Sequence, residues 1–94
     1  MSILVRFSNP DSPTSTEQYD QVLKALESGS SKWPPDGMEY HCCFVADDGI
    51  RVSEVWESQE KFQAFGETLM PLLADAGIDP GEPEVLEVYN TVQG

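Results

Sequence analysis

Apolar residues recur along this chain with two different periods, and the period changes at clear breaks. Over residues 2–8, Ile3, Val5 and Phe7 alternate with Leu4, Arg6 and Ser8, the two-residue repeat of a strand. Leu4 on the second face implies that both faces are covered. Asn9-Pro10-Asp11-Ser12-Pro13 has loop composition. Tyr19, Val22, Leu23 and Leu26 then fall on one side of a helix. Thr14-Ser15-Thr16-Glu17 carries a capping-box signature, with Thr14 as cap and Glu17 three residues on. Gly29 suits the exit, so the spacing predicts a helix over 15–28. Residues 28–37 are a loop, because the Pro34-Pro35 pair after Trp33 cannot continue a helix.

Two strands follow, Met38 to Ala46 and Ile50 to Glu57, joined at Asp48-Gly49. That dipeptide suits a two-residue hairpin turn, which needs positive φ at both positions. The implied register sets His41 opposite Trp56, Cys43 opposite Glu54 and Val45 opposite Val52, all on one face. Tyr40, Cys42, Phe44, Ser53 and Val55 take the other. Ser58 caps a second helix with Glu60 in its first turn. Phe62, Phe65, Leu69, Leu72, Leu73 and Ala76 form its apolar stripe. Pro71 is expected to kink or split it near Leu69, and Gly77 to end it. After the turn-rich Asp79-Pro80-Gly81-Glu82-Pro83, residues 84–92 read as a last strand, with Leu86 and Val88 on one face and Val85 and Tyr89 on the other.

Strand, helix, strand, strand, helix, strand is the ferredoxin-like α+β order: a four-stranded antiparallel sheet with two helices on one face. The open face carries either Arg6 or Ile3, Val5 and Phe7, either His41 or Phe44, and either Val55 or Trp56, depending on strand phase. Either set leaves an apolar patch facing water. A second copy packed sheet to sheet covers it, giving a homodimeric α/β barrel about a two-fold axis.

Composition narrows the partners. With 94 residues the chain is expected to be one domain, 1–94. Net charge is −12, from 17 acids against 5 scattered bases. An acidic surface without a basic stripe excludes nucleic acid and an anionic membrane as partners, and suits a cytoplasmic protein. The first residues lack the basic start and apolar run of a signal peptide. Cys42 and Cys43, adjacent on a strand, point to opposite faces. They read as two buried free thiols in a reducing compartment. No metal is expected, since only His41 stands near them. Phosphate-binding loops and nucleophile elbows are absent from the sequence.

Several short pieces, in order, resemble the dimeric α/β-barrel superfamily that includes antibiotic-biosynthesis-monooxygenase-like domains. They are Glu17-Gln18-Tyr19-Asp20, Pro35-Asp36-Gly37, His41, Asp48-Gly49, Val55-Trp56-Glu57-Ser58, Phe62 and Phe65, Leu69 to Pro71, and Gly77, together spanning residues 17–77. The resemblance implies the dimeric barrel. It also implies a choice among the superfamily's chemistries: oxidation of polycyclic phenols by oxygen without metal or flavin, haem degradation, or rearrangement of small organic acids. Haem-degrading members pair a tryptophan with a histidine on the following helix. The helix after Trp56 has no histidine, which argues against that activity. No cofactor is expected.

His41 is the only histidine, and the one side chain whose ordinary pKa lies near neutral pH. In a pocket between sheet and partner it is placed to act as general base on a phenol or carbon acid, with Glu54 holding its tautomer. Its plainer role is a buried histidine satisfied by one hydrogen bond. Trp56 suits stacking on an aromatic ligand, or anchoring the dimer. Arg6 suits a carboxylate or phenolate, or a simple pair with Glu54 or Glu87. Tyr40 and Tyr89 offer hydroxyl donors, and Trp33 a lid or a partner contact. Two functions remain: a small-molecule enzyme of the monooxygenase-like type, or a non-catalytic dimeric ligand-binding or accessory protein.

Overall fold

Ser15, not Thr14, caps the first helix. Its Oγ accepts the Gln18 amide at 3.1 Å, and Gln18 Oε1 accepts the Ser15 amide at 2.9 Å. The box therefore closes one residue later than the Thr14–Glu17 reading. The physical reason is the second end of Gln18. Its Nε2 donates to the carbonyls of Ala76 and Gly77 at 3.2 Å each, which a glutamate could not do.

In a computed structural model, residues 2–29 and 32–92 are described. The elements are β1 (Ile3–Phe7), α1 (Thr16–Ser28), β2 (Met38–Ala46), β3 (Gly49–Trp56), α2 (Gln59–Asp75) and β4 (Glu84–Glu87). The strands form one antiparallel sheet in the order β2-β3-β1-β4, the ferredoxin-like arrangement. Ser58 caps α2 by accepting the Lys61 amide at 3.3 Å. The helix runs unbroken through Pro71. That residue is exposed, so its ring meets no core neighbour and water can take the carbonyl it leaves unbonded. Gly77, at φ +74°, ends α2. The Ile78 amide reaches the Leu73 carbonyl at 2.9 Å and the Gly77 amide the Ala74 carbonyl at 3.1 Å, the Schellman pattern.

The hairpin turn is Asp47-Asp48 rather than Asp48-Gly49. Ala46 pairs with Gly49, which has φ +107°, and no described residue other than glycine has positive φ. A Cβ on Gly49 would lie 2.8 Å from the Thr14 carbonyl oxygen, and Ile50 donates to that same carbonyl at 3.0 Å. Arg51 Nη2 grips both carboxylate oxygens of Asp48 at 3.0 Å. His41 therefore faces Glu54, Cys43 faces Val52, and Val45 faces Ile50. The slip is an even number of residues, so each side chain keeps the face expected of it. A bulge between Met38 and Tyr40 ends the regular pairing of β2.

Both helices cover the face that carries Val5 and Trp56, each 0% exposed. Val22, Leu26 and Phe65 complete the buried core. This resolves the strand phase and corrects the placement of Trp56. It packs beneath α2, with ring centroids 5.7 Å from Phe62 and 5.6 Å from Phe65, and is not at a sheet-to-sheet interface. Across the outer face, Tyr40, Val55, Leu4 and Leu86 are successive cross-strand neighbours. Cys42, Ser53, Arg6 and Glu84 form the next row. β4 stops at Glu87 instead of reaching Val92. Ile3 pairs with Glu87 and the Val88 amide with the Ser2 carbonyl, so β4 ends alongside the start of β1. Tyr89 is 99% exposed.

Candidate functional site

The hairpin register builds the site. β2 presents His41 and β3 presents Glu54 directly opposite, with Trp56 two residues further on the same face. His41 Nδ1 lies 2.7 Å from Glu54 Oε2. Trp56 Nε1 donates to Glu54 Oε1 at 2.9 Å. From above, Tyr19 on α1 brings its hydroxyl to 2.7 Å from His41 Nε2. Glu54 is 4% exposed, and a carboxylate so deep needs donors on its oxygens. Each oxygen has one. No buried side-chain nitrogen or oxygen among the described residues lacks a partner.

The hydrogens are assigned from the chemistry of the partners. With Glu54 as acceptor, Nδ1–H of His41 donates to it. Nε2 then carries the lone pair, and the Tyr19 hydroxyl donates to it. The Tyr19 phenol is pushed up to about 12, first by burial and then by the neighbouring Cys43 thiol and Glu54 carboxylate. Its proton stays on oxygen at neutral pH. Burial likewise pushes the Cys43 thiol up. Cys42 and Cys43 are free and half-buried.

A cavity of about 100 Å³ opens beside this chain of hydrogen bonds, between the helices and the sheet. That is several times the roughly 10–15 Å³ that one water needs. Phe7, Val52, Leu26, Phe65 and Leu69 supply apolar wall, while Tyr19, His41 and Glu54 are polar members of the lining. Trp33 closes over His41 edge-on, with centroids 5.9 Å apart, and leans on Phe65 at 6.2 Å. The long loop thus supplies a wall of this cavity.

No protein-family model matches the chain, and no curated protein matches it. Solved structures do. Rv0793 from Mycobacterium tuberculosis superposes with a TM-score of 0.58 at 17% identity, over 98% of this chain and 97% of that one. An antibiotic biosynthesis monooxygenase-like protein from Chloroflexus aurantiacus J-10-fl superposes with a TM-score of 0.54 at 19% identity, over 99% and 97% of the two chains. The chain has the fold of the antibiotic-biosynthesis-monooxygenase-like proteins.

Within that fold, the residues singled out from the sequence separate into two groups. His41 and Glu54 line the cavity, and Trp56 braces it by holding Glu54. The cavity lies within the single chain, beneath its own helices, and not on the outer sheet face where the sequence reading placed the pocket. Arg6 lies on the opposite face, where it meets Glu84 at 3.6 Å rather than Glu54 or Glu87. Alternation along β1 imposes this, because Val5 occupies the inner face beside Glu54. Tyr40 is on the outer face for the same reason, and Tyr89 lies beyond β4. None of these three lines the cavity.

Tyr19 is the residue that sequence reading passed over. It counted as one member of an apolar stripe and of the Glu17-Gln18-Tyr19-Asp20 piece of the resemblance, with no role at a site. The available signal was a hydroxyl on an otherwise aliphatic helix face, since a buried tyrosine hydroxyl needs a partner.

Proposed function

We propose that the cavity beneath the helices is a small-molecule site, and that the protein is a cofactor-independent monooxygenase-like enzyme acting on a small aromatic or organic-acid ligand. The observation that carries this is the imidazole of His41, hydrogen-bonded to a buried carboxylate on one side and bordering an apolar cavity on the other. In this reading His41 is the group that takes up the proton of an acidic ligand. Deprotonation makes an aromatic ring electron-rich enough to react with oxygen. For a phenol oxidised to a quinone, one oxygen atom becomes the new carbonyl, and two hydrogens leave with the other as water.

Oxygen uptake over a panel of hydroxylated aromatics and small organic acids tests the reading. His41→Gln is expected to lower turnover by about 10²–10⁴-fold. An unchanged rate removes the general base. A second reading, a non-catalytic ligand-binding protein, is favoured by the engagement of both ring nitrogens. It is upheld if ligands bind and no turnover is found. Under either reading the apolar outer sheet face belongs to a homodimer.

A further inference from the structure

Both nitrogens of His41 are occupied, Nδ1 by Glu54 and Nε2 by Tyr19, each at 2.7 Å. No lone pair of the imidazole therefore points into the cavity. Glu54 has spare lone pairs, but its side chain is only 5% exposed. The Tyr19 oxygen is different. It spends its hydrogen on His41 and keeps acceptor capacity for something else, and the residue lines the cavity.

Resting on the reading of His41 as a base, we propose that Tyr19 is the residue that touches the ligand's acidic oxygen, and that the site takes a single-ring, weakly acidic hydroxy compound as its anion. The step is a relay. The ligand O–H bond breaks, and its proton forms a new bond to the Tyr19 oxygen. The original Tyr19 O–H bond breaks, and that proton forms a bond to His41 Nε2. The electron pair stays on the ligand oxygen. At the end His41 is an imidazolium donating to Glu54 and to Tyr19, and the Tyr19 hydroxyl donates to the ligand anion. Because the Tyr19 phenol resists ionisation, it never holds the charge itself.

Size sets the ligand class. The cavity is about 100 Å³, whereas an engineered apolar cavity of roughly 150 Å³ takes one benzene ring. At about 100 Å³ the space beneath the helices holds no more than one ring. The phenols expected from the superfamily resemblance are polycyclic, whereas the ligand proposed for this chain is a single ring. Trp33 and Phe65 wall the cavity, packed against each other at 6.2 Å.

The probe is para-nitrophenol, whose anion is coloured, titrated with protein at a pH below its own pKa. Wild type is expected to bind it and raise the anion absorbance. Tyr19→Phe keeps the ring and removes one hydroxyl. It is expected to bind at least about tenfold more weakly, the loss of one hydrogen bond to a charged group, and to leave the probe protonated. Circular dichroism of the variant verifies that it is folded. If it does not fold, the tautomer carries the test: ¹⁵N shifts of His41 in wild type are expected to change when the probe binds, and constancy overturns the relay. If folded Tyr19→Phe still ionises the probe as wild type does, the proton reaches His41 without Tyr19. The relay then fails and the reading of His41 stands. If wild type binds the probe without ionising it, or does not bind it, the reading of His41 as a base falls as well. A naphthol of similar acidity that binds as tightly overturns the single-ring assignment.

Discussion

Tyr19 links the site to the stability of the chain. Its phenol ionises near 10.0 when unfolded and only near about 12 when folded. Between those values the folded state holds a proton that the unfolded state has lost, so stability falls as pH rises. The contribution is whole below 10.0 and gone above about 12. Urea midpoints across that window are expected to fall more steeply for wild type than for Tyr19→Phe. Parallel curves refute the assignment. His41, Glu54 and Trp56 were legible from one strand–turn–strand stretch, because alternation alone puts them on one face. Arg6 was not separable from them. Both faces of the sheet are apolar, so composition does not say which one the helices cover. The full burial of Val5 and Trp56 decides it.

At the level of elements, Gln18 does the work of two residues. It completes the cap of α1 and satisfies carbonyls at the end of α2, tying the start of one helix to the finish of the other. Gln18→Glu preserves the acceptor for the Ser15 amide. It removes the donor and sets a carboxylate against the negative end of α2. The expected cost is about 1 kcal/mol, read from urea unfolding at neutral pH. An unchanged midpoint means the tie adds nothing. All six elements were legible, because the periodicity switches cleanly between strand and helix. What escaped was at their ends. The cap moved by one residue because two overlapping boxes fit the same four-residue spacing. The hairpin slipped because Asp47 competes with Asp48 for the turn, and packing of Gly49 against Thr14 settles the choice. β4 ended early because a strand lasts only as long as its neighbour, which no local pattern reveals.

At the scale of the molecule, the outer sheet face carries Tyr40, Phe44 and Leu86 at 54%, 38% and 44% exposure. No described helix is long and apolar enough to cross a membrane. Sedimentation is expected to give twice the 10.4 kDa chain mass, and Leu86→Asp to give a monomer that still unfolds cooperatively. With −12 on each copy, association is expected to tighten with added salt, because like charges are then screened. A monomeric wild type at micromolar concentration refutes the sheet-to-sheet pairing. The Tyr19–His41 site lies within one chain, so Leu86→Asp is expected to bind para-nitrophenol as before.

Glu54 holds the indole of Trp56 with one oxygen and the imidazole of His41 with the other. Replacing it alone strands the buried Trp56 donor and the half-buried His41 donor at once, and replacing either donor strands a carboxylate oxygen. Descent with modification thus has no cheap single step here. Positions 41, 54 and 56 are therefore expected to change together or not at all among related chains, which an alignment of such sequences checks.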